Sequence, residues 1–477
     1  MNNTNGFGKG FPPRNIAIVG VSRTDHLQHP GYTGYKLLKI LQEGGFPGNI
    51  YPVNPKADFI DDLRAYPTVS AIPEPVDLVT ITVPAHIVPR SVEDCIAAGA
   101  KNVQICTSGF AETGQEEGQQ LTDQISQLAQ GEDIRIIGPN CMGFHVPSDK
   151  MQMFEEMPMD SGPMAFLSQS GGHARVFLLN TAHVGIGVSK VISYGNALML
   201  DASDFLEYLA DDPQTKIIGM YLEGIKDGRR FREAVTSVTR KKPVIIWKGG
   251  LTEAGARAAR SHTASLAGEK QIWDAFFKQT GAIKVGSIEE MMDIAVSFLN
   301  LNPSTGKRAA VVGAGGGDTV AAGDMCAEEG IEVPPLSLQT QNRLLEHVYL
   351  INQGIMNPLD LPILMHDLSI MRQTIPILAA DPQVDVIILR IGSLLFSIGD
   401  PFPTKDEVIQ CLLEIQQEIG NKPILIPITN DTQEEPVDKH VRDLRDAGLA
   451  VYASFRGACR AFRRFTTYHR YVSEISV

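Results

Sequence analysis

The stretch GPMAFLSQSGGHARVFLLNTA, residues 162–182, decides how the rest of the chain is read. An apolar run of strand length leads into Ser168-Gln-Ser-Gly-Gly172, and the pattern from His173 onward is helical. A strand that passes into a helix through so short a turn is half of a β-α-β unit, the building block of parallel sheets covered by helices. The turn also has chemistry of its own. Ser168, Ser170 and the amides of Gly171 and Gly172 offer donors to an anion, and the positive helix end adds on the order of 0.3–1 kcal/mol. Taken alone, however, the turn is better explained as a tight strand–helix connection.

The alternation repeats on both sides of this stretch. Strands are expected at 15–20, 48–53, 76–83, 102–108 and 134–139, then at 162–170, 187–195, 216–223, 243–250 and, more weakly, 281–287. A third set falls at 307–317, 384–392, 422–429 and 448–454, and each run is followed by a helical pattern. The fold class expected is therefore α/β, with three consecutive doubly wound parallel-sheet domains. Linkers near Val146–Lys150 and Asn300–Gly306 divide the chain into 1–148, 149–303 and 304–477. A length of 477 residues agrees with about three domains.

Composition excludes several functional classes. A formal charge of −13 argues against nucleic acid as a partner, because phosphate backbones need a basic face. The six cysteines are scattered with no CxxC pair, which reads as reduced thiols in a cytoplasmic protein. The first fifteen residues hold no apolar signal segment, and no run approaches the roughly 18–20 apolar residues of a membrane span.

Ligands of parallel sheets bind at strand carboxyl ends, so the turns there carry the functional reading. In the first unit the strand from Ile16 meets Gly20 and Ser22, and a helix begins near Gly34, which makes a phosphate cradle. The spacing is not G-x-G-x-x-G. The next strand ends Tyr51-Pro-Val-Asn54-Pro-Lys56, a cation where a nicotinamide dinucleotide site would want a carboxylate. A phosphorylated adenine ligand such as coenzyme A is favoured; the plainer reading makes Ser22 a helix cap and Lys56 a solvated lysine. Val83-Pro84, Ser108-Gly109-Phe110-Ala-Glu112 and Gly138-Pro-Asn140-Cys-Met-Gly143 form turns on the same edge. Asn140 is a candidate donor to a thioester carbonyl or a phosphate. Cys141 reads as a packing residue and His145 as structural.

The loop GARAARSHTASLAG, residues 255–268, sets His262 among small residues, with no neighbouring carboxylate and no metal-ligand spacing. A bulky anion can approach such an imidazole, as a phosphate-carrying histidine requires. Gly315-Gly316-Gly317 opens a second helix as Ser168–Gly172 opens the first, so two helix ends and His262 would together cage a phosphate. Glu223, at a strand end, either fixes the imidazole tautomer or is a surface residue; sequence leaves both open. No metal-ligand set is found.

Together these residues resemble the α subunit of NDP-forming acyl-CoA synthetases, the acetate–CoA ligase (ADP-forming) branch of the succinyl-CoA synthetase superfamily. The resemblance runs roughly from Arg14 to Tyr471 and rests on YPVNPK (51–56), IPEPVDL (72–78), SGFAE (108–112), GPNC-x-G (138–143), SQSGG (168–172), YLEG-x-KDGRRF (221–231), EAGARAA (253–259) and SHT-x-SLAG (261–268). It implies a Rossmann-like domain that binds coenzyme A, followed by two flavodoxin-like domains. It also implies a phosphate carried on His262 and oriented by Glu223. The family's ATP-grasp module, which binds ADP or ATP with Mg, has no counterpart after Gly457. The resemblance thus implies a separate ATP-grasp β subunit, in an α2β2 assembly. Ala264 stands where glycine is usual in that loop, the turn at Leu251 lacks an arginine, and Ala197 takes the place of a usual lysine. A carboxylic acid larger or less acidic than acetate is expected from these changes. The expected reaction is reversible: acyl-CoA, ADP and inorganic phosphate give the acid, coenzyme A and ATP. The competing readings are a dehydrogenase, an acyl or carbamoyl transferase working without His262, and a non-catalytic sensor of coenzyme A.

Overall fold

The structure, a computed structural model, describes residues 11–22, 33–257, 270–313, 315–348, 354–365, 367–392, 403–429 and 437–475. The first sheet contains β1 (Asn15–Val19) and β2 (Asn49–Val53). After the small antiparallel ladder β3 (Phe59–Ile60) and β4 (Leu63–Arg64), it adds β5 (Leu78–Ile81), β6 (Asn102–Ile105) and β7 (Arg135–Ile137). Its order is β2-β1-β5-β6-β7, parallel throughout. The direction of winding reverses between β1 and β5. Right-handed crossovers then place helices on both faces and open a crevice at the carboxyl ends of those two strands.

The second sheet contains β8 (Gly143–His145), β9 (Ser161–Ser168), β10 (Val188–Ser193), β11 (Ile217–Leu222), β12 (Val244–Lys248) and β13 (Ile283–Val285), in the order β13-β12-β11-β9-β10-β8. The third contains β14 (Ala309–Gly313), β15 (Leu359–Asp360), β16 (Val386–Leu389), β17 (Ile391–Gly392), β18 (Ile424–Thr429) and β19 (Val451–Tyr452). There β16 and β17 are one line interrupted at Arg390, both pairing with β18, and β19 pairs with β18 as well. In each sheet the unit's first parallel strand lies between its second and third. The expected α/β architecture of three doubly wound sheets is the one observed.

Continuous apolar runs produce this arrangement. All six residues of β10 and all six of β11 are buried, as strands covered on both faces must be. Phe166 of β9 and Phe177 of the helix Gly171–Val184 are both fully buried and stack with centroids 4.0 Å apart, which fixes that helix on its sheet. The chain packs as two compact units, one of Met1–Ala182 with Ile186–Gly286 and one of His183–Gly185 with Ser287–Val477. The helix Ile288–Asn300, which falls inside the expected segment 149–303, groups with the second of these. Among the described residues no helix is long and apolar enough to cross a membrane, and all six cysteines are free thiols.

Beyond the two-residue strands β3, β4 and β15, which the sequence reading did not include, one element departs from it in the sheet it joins. Residues 143–145 follow a turn of the first unit, yet they form β8, an antiparallel edge strand on β10 of the second sheet. The run Gly143-Phe144-His145 is too short, and its histidine too polar, to register as a strand by pattern. Burial explains the register: Phe144 and His145 are both enclosed, and His145 Nε2 donates to the Pro158 carbonyl over 2.9 Å. Its Nδ1 is buried without a partner among the described residues. Burial therefore pulls the imidazole down to about 4, against a smaller opposing effect of the Pro158 bond. A folded-state pKa below the unfolded value near 6.5 means that the unfolded chain binds the extra proton. Stability should thus be full above pH 6.5 and fall by about 3 kcal/mol as pH drops toward 4, at about 1.4 kcal/mol per unit. Urea unfolding of His145→Gln against the parent chain checks this, and the variant should show a flatter profile over that window.

Candidate functional site

At the carboxyl edge of the first sheet three segments approach so closely that side chains are excluded. Gly20 leaves β1 at φ 97°, and a β-carbon there would lie 2.8 Å from Val83 Cγ1. Gly34 opens the helix Gly34–Glu43, where a β-carbon would fall 2.6 Å from Thr82 Oγ1 and 2.8 Å from the Gly20 carbonyl. Thr82 donates its hydroxyl to the Val19 carbonyl over 2.8 Å and so ties the exit of β5 to that of β1. The helix N-terminus is thereby packed directly against the ends of β1 and β5, the kind of place where backbone amides and a helix dipole meet a phosphate. Thr33 caps this helix by accepting from the Lys36 amide over 3.2 Å.

Asn54 serves the loop. Its Nδ2 donates to the Val21 carbonyl over 2.7 Å and its Oδ1 accepts from the Lys56 amide over 2.8 Å, leaving Lys56 exposed on that turn. Further along the edge, Thr107 donates to the Val83 carbonyl, which fixes the turn at Val83 and Pro84 against the one at Ser108. The Gly109 amide is occupied by Glu112 Oε1 at 2.7 Å. Glu112 Oε2 in turn accepts from Asn196 Nδ2 at 2.6 Å, and Asn196 Oδ1 accepts from Asn140 Nδ2 at 3.4 Å. The Asn140 backbone is held at φ 57° with its amide on the Thr107 carbonyl. Thus Gly109 and Asn140 do come together, through Glu112 and Asn196, whose roles the sequence did not reveal. Cys141 is enclosed with its thiol on the Ile105 carbonyl, and burial pushes that thiol well up, as befits a packing residue. At the substituted position Ala197, a cation arrives from elsewhere: Lys226 Nζ donates to the Ala197 carbonyl over 2.6 Å.

A second edge lies within the same compact unit, where the neighbouring strands β10, β9, β11 and β12 end. The buried Ser168 hydroxyl donates to the Ser170 carbonyl over 2.7 Å and accepts from the Ser170 amide, so it shapes the turn. Ser170 Oγ accepts from the His173 amide at 3.3 Å and caps the helix that begins at Gly171 and Gly172. Gln169 reaches sideways, its Oε1 accepting from the amides of Glu223 and Gly224. Glu223 is 8 % exposed, which removes its reading as a surface residue. Its Oε1 accepts from the Tyr221 hydroxyl at 3.2 Å, whereas Oε2 is buried without a partner among the described residues. An orphaned carboxylate oxygen in a dry site is costly and marks a place where another group completes the bonding.

Around it stand His173, stacked on Tyr221 at 3.9 Å, and Trp247, edge-on to His173 at 4.8 Å. Burial lowers the His173 pKa and Glu223 partly offsets this. Lys248 donates its ammonium to the Glu223 and Gly249 carbonyls, and burial pulls it down to about 8. Gln169, Tyr221, His173 and Lys248 were missed as site residues, although all but Lys248 sit inside or beside the quoted motifs. His262 lies outside the described residues, as do its neighbours at 258–269.

In the other compact unit, Gly315 caps the helix Gly316–Glu328. Two carboxylates attend this turn: Asp318, paired with Arg390, and Asp360, whose Oδ2 lies 3.5 Å from where a Gly316 β-carbon would stand; nothing falls within 4 Å of the same point at Gly317. Among the described residues no group of three or more His, Cys, Asp or Glu side chains is placed to hold a metal ion.

Comparison with known proteins bears on both edges. Residues 14–147 match a family described as a CoA binding domain, and residues 161–298 one described as a succinyl-CoA ligase like flavodoxin domain. The chain is 37% identical to the α subunit of acetate–CoA ligase (ADP-forming) II of Pyrococcus furiosus, over 87% of this chain and 88% of that one. It is 34% identical to acetate–CoA ligase (ADP-forming) I of Archaeoglobus fulgidus over 98% of its own length, but it spans only 64% of that protein. The structure superposes with a TM-score of 0.85 on the dinucleotide-forming acetyl-coenzyme A synthetase 1 of Candidatus Korarchaeum cryptofilum in complex with phosphate and ADP, at 31% identity, covering 99% of this chain and 98% of that one.

The close approach at the first edge yields a direct test. Gly34→Ala places a methyl group 2.8 Å from the Gly20 carbonyl, so the backbone must part there. Coenzyme A affinity, measured by calorimetry, should fall about ten-fold or more, an effect of about 1.4 kcal/mol, while Gly228→Ala, at an open position on the same unit, should leave it unchanged.

Proposed function

Because this chain belongs to the family of ADP-forming acetate–CoA ligases, we propose that it is the α-type chain of an ADP-forming acyl-CoA synthetase that works through a phosphohistidine at His262. Coenzyme A is held at the first edge, by Gly20, Ser22, the Asn54–Lys56 turn, Val83, Pro84, Ser108 and Gly109. The acyl end reaches toward Asn140 and the turn Ser168–Gly172. The orphaned Oε2 of Glu223 beside that turn carries the reading, because it is a fixed acceptor waiting for an imidazole N–H.

Inorganic phosphate attacks the thioester carbonyl: a C–O bond forms, the C–S bond breaks, and coenzyme A leaves as a thiolate that takes up a proton. The amides of Gly171 and Gly172 and the helix dipole stabilise the anionic phosphate. Glu223 Oε2 accepts the proton-bearing nitrogen of His262, leaving the other nitrogen to attack phosphorus. A P–N bond forms, the bond to the acyl oxygen breaks, and the carboxylic acid departs. Positioning and electrostatics of this kind are what phosphoryl transfer asks of a protein. The phosphoryl group then passes to ADP, which with Mg sits on a separate ATP-grasp β subunit in an α2β2 enzyme of the cytoplasm. Gly315–Gly317 is a second candidate phosphate turn, and the functional division is 1–148, 149–303 and 304–477. The acid is larger or less acidic than acetate, in keeping with Ala197, Leu251 and Ala264.

The test is phosphorylation of the purified chain by a panel of acyl-CoAs with labelled inorganic phosphate. Acid-labile, base-stable label on His262 is expected, absent in His262→Ala and about 10–100-fold slower to form in Glu223→Gln. No label from any acyl-CoA, even with an ATP-grasp partner present, would overturn the phosphohistidine and leave a coenzyme A-dependent transferase or sensor.

A further inference from the structure

Among the described residues, Glu223 is bonded through one carboxylate oxygen, and that bond comes from Tyr221. The phenol is itself confined. His173 lies nearly parallel to its ring, at 3.9 Å and 15°, and Trp247 packs across it at 5.0 Å and 71°. The two flanking rings also meet each other edge-on at 4.8 Å. Space for the hydroxyl is kept by Gly249, where a β-carbon would come within 2.9 Å of the phenol oxygen. Meanwhile Gln169 holds the amides of Glu223 and Gly224, so backbone and side chain of the glutamate are fixed from opposite directions. A buried carboxylate bonded at Oε1, with Oε2 unpartnered among the described residues, has a single productive direction.

We infer that Tyr221, clamped between His173 and Trp247, is a positioning residue that fixes the rotation of Glu223 so that Oε2 alone faces the phosphoacceptor. This rests on the phosphohistidine reading above and adds to it the device that makes Glu223 directional. Burial and the neighbouring carboxylate push the phenol's pKa well up, so it stays a donor at any working pH. Without the phenol, Oε1 loses its bond and the carboxylate can turn about its last torsion, which is broad and intrinsically two-fold. The residues assigned above to coenzyme A at the first edge include neither Tyr221 nor Glu223.

Single-turnover phosphorylation from acyl-CoA and labelled inorganic phosphate, with the ATP-grasp partner present, tests this in four chains: parent, Tyr221→Phe, Glu223→Ala and the double variant. Tyr221→Phe keeps the ring in its clamp and should slow label formation about ten-fold, with the half-saturating acyl-CoA concentration unchanged. In the Glu223→Ala background the same change should have no further effect, because the phenol acts only through the carboxylate. Gly249→Ala, which crowds the phenol oxygen, should reproduce the slowing. A labelled parent chain with Tyr221→Phe at the parental rate, or with additive losses in the double variant, overturns the positioning role and leaves the phosphohistidine standing. A parent chain that takes no label overturns both.

Discussion

Parallel pairing imposes the constraint on which the molecule is built. Every strand of such a sheet ends on the same edge, so the backbone groups released at those ends are gathered into one line. In the first sheet that line runs through Gly20, Thr82, Thr107 and Asn140, and in the second through Ser168, Tyr194, Glu223 and Lys248. The residues found there are small or polar because the edge must both turn the chain tightly and remain open to a ligand. Glycine at Gly20 and Gly34 follows from the same demand, since the β1 exit, the helix start and the β5 exit meet within van der Waals distance.

Charge is handled by backbone carbonyls more than by ion pairs at the second edge. Lys248 is 4 % exposed, yet its ammonium is satisfied by the Glu223 and Gly249 carbonyls and not by the Glu223 carboxylate. Lys226 behaves similarly at the carbonyls of Ala197 and Leu198. Spending a cation on carbonyls keeps the nearby acid unneutralised. A salt bridge at Glu223 would have taken up the oxygen that has no partner among the described residues.

How much of this was legible beforehand follows from the range of each signal. The strand–turn–helix alternation is local, so nearly every strand, the winding of each sheet and the glycine turns could be read from neighbouring residues. So could the packing role of Cys141. The edge strand β8 could not, because three residues carry no period and its partner lies about fifty residues on, at 191–193. The bonds Glu112–Asn196–Asn140, Gln169 to Glu223 and Lys226 to Ala197 were hidden for a related reason: each depends on which way a side chain leaves a strand end, which composition does not encode. Glu223 was recognised as a candidate by its strand-end position, whereas its burial became apparent only from the packing of Tyr221 and Gln169 around it. His262 was chosen from loop chemistry and lies outside the described residues.

The edge strand β8 has a consequence for how such a chain can be cut and rejoined. The segment 143–145 is supplied by the stretch that completes the first sheet, but it covers the outer side of β10 in the second. Dividing the chain in the connection between 146 and 160 would strip β10 of its cover and leave an unpaired row of amides and carbonyls, an invitation to association with other chains. The first two sheets are therefore joined by more than the chain between them. Gene fission or fusion must inherit the first two sheets together.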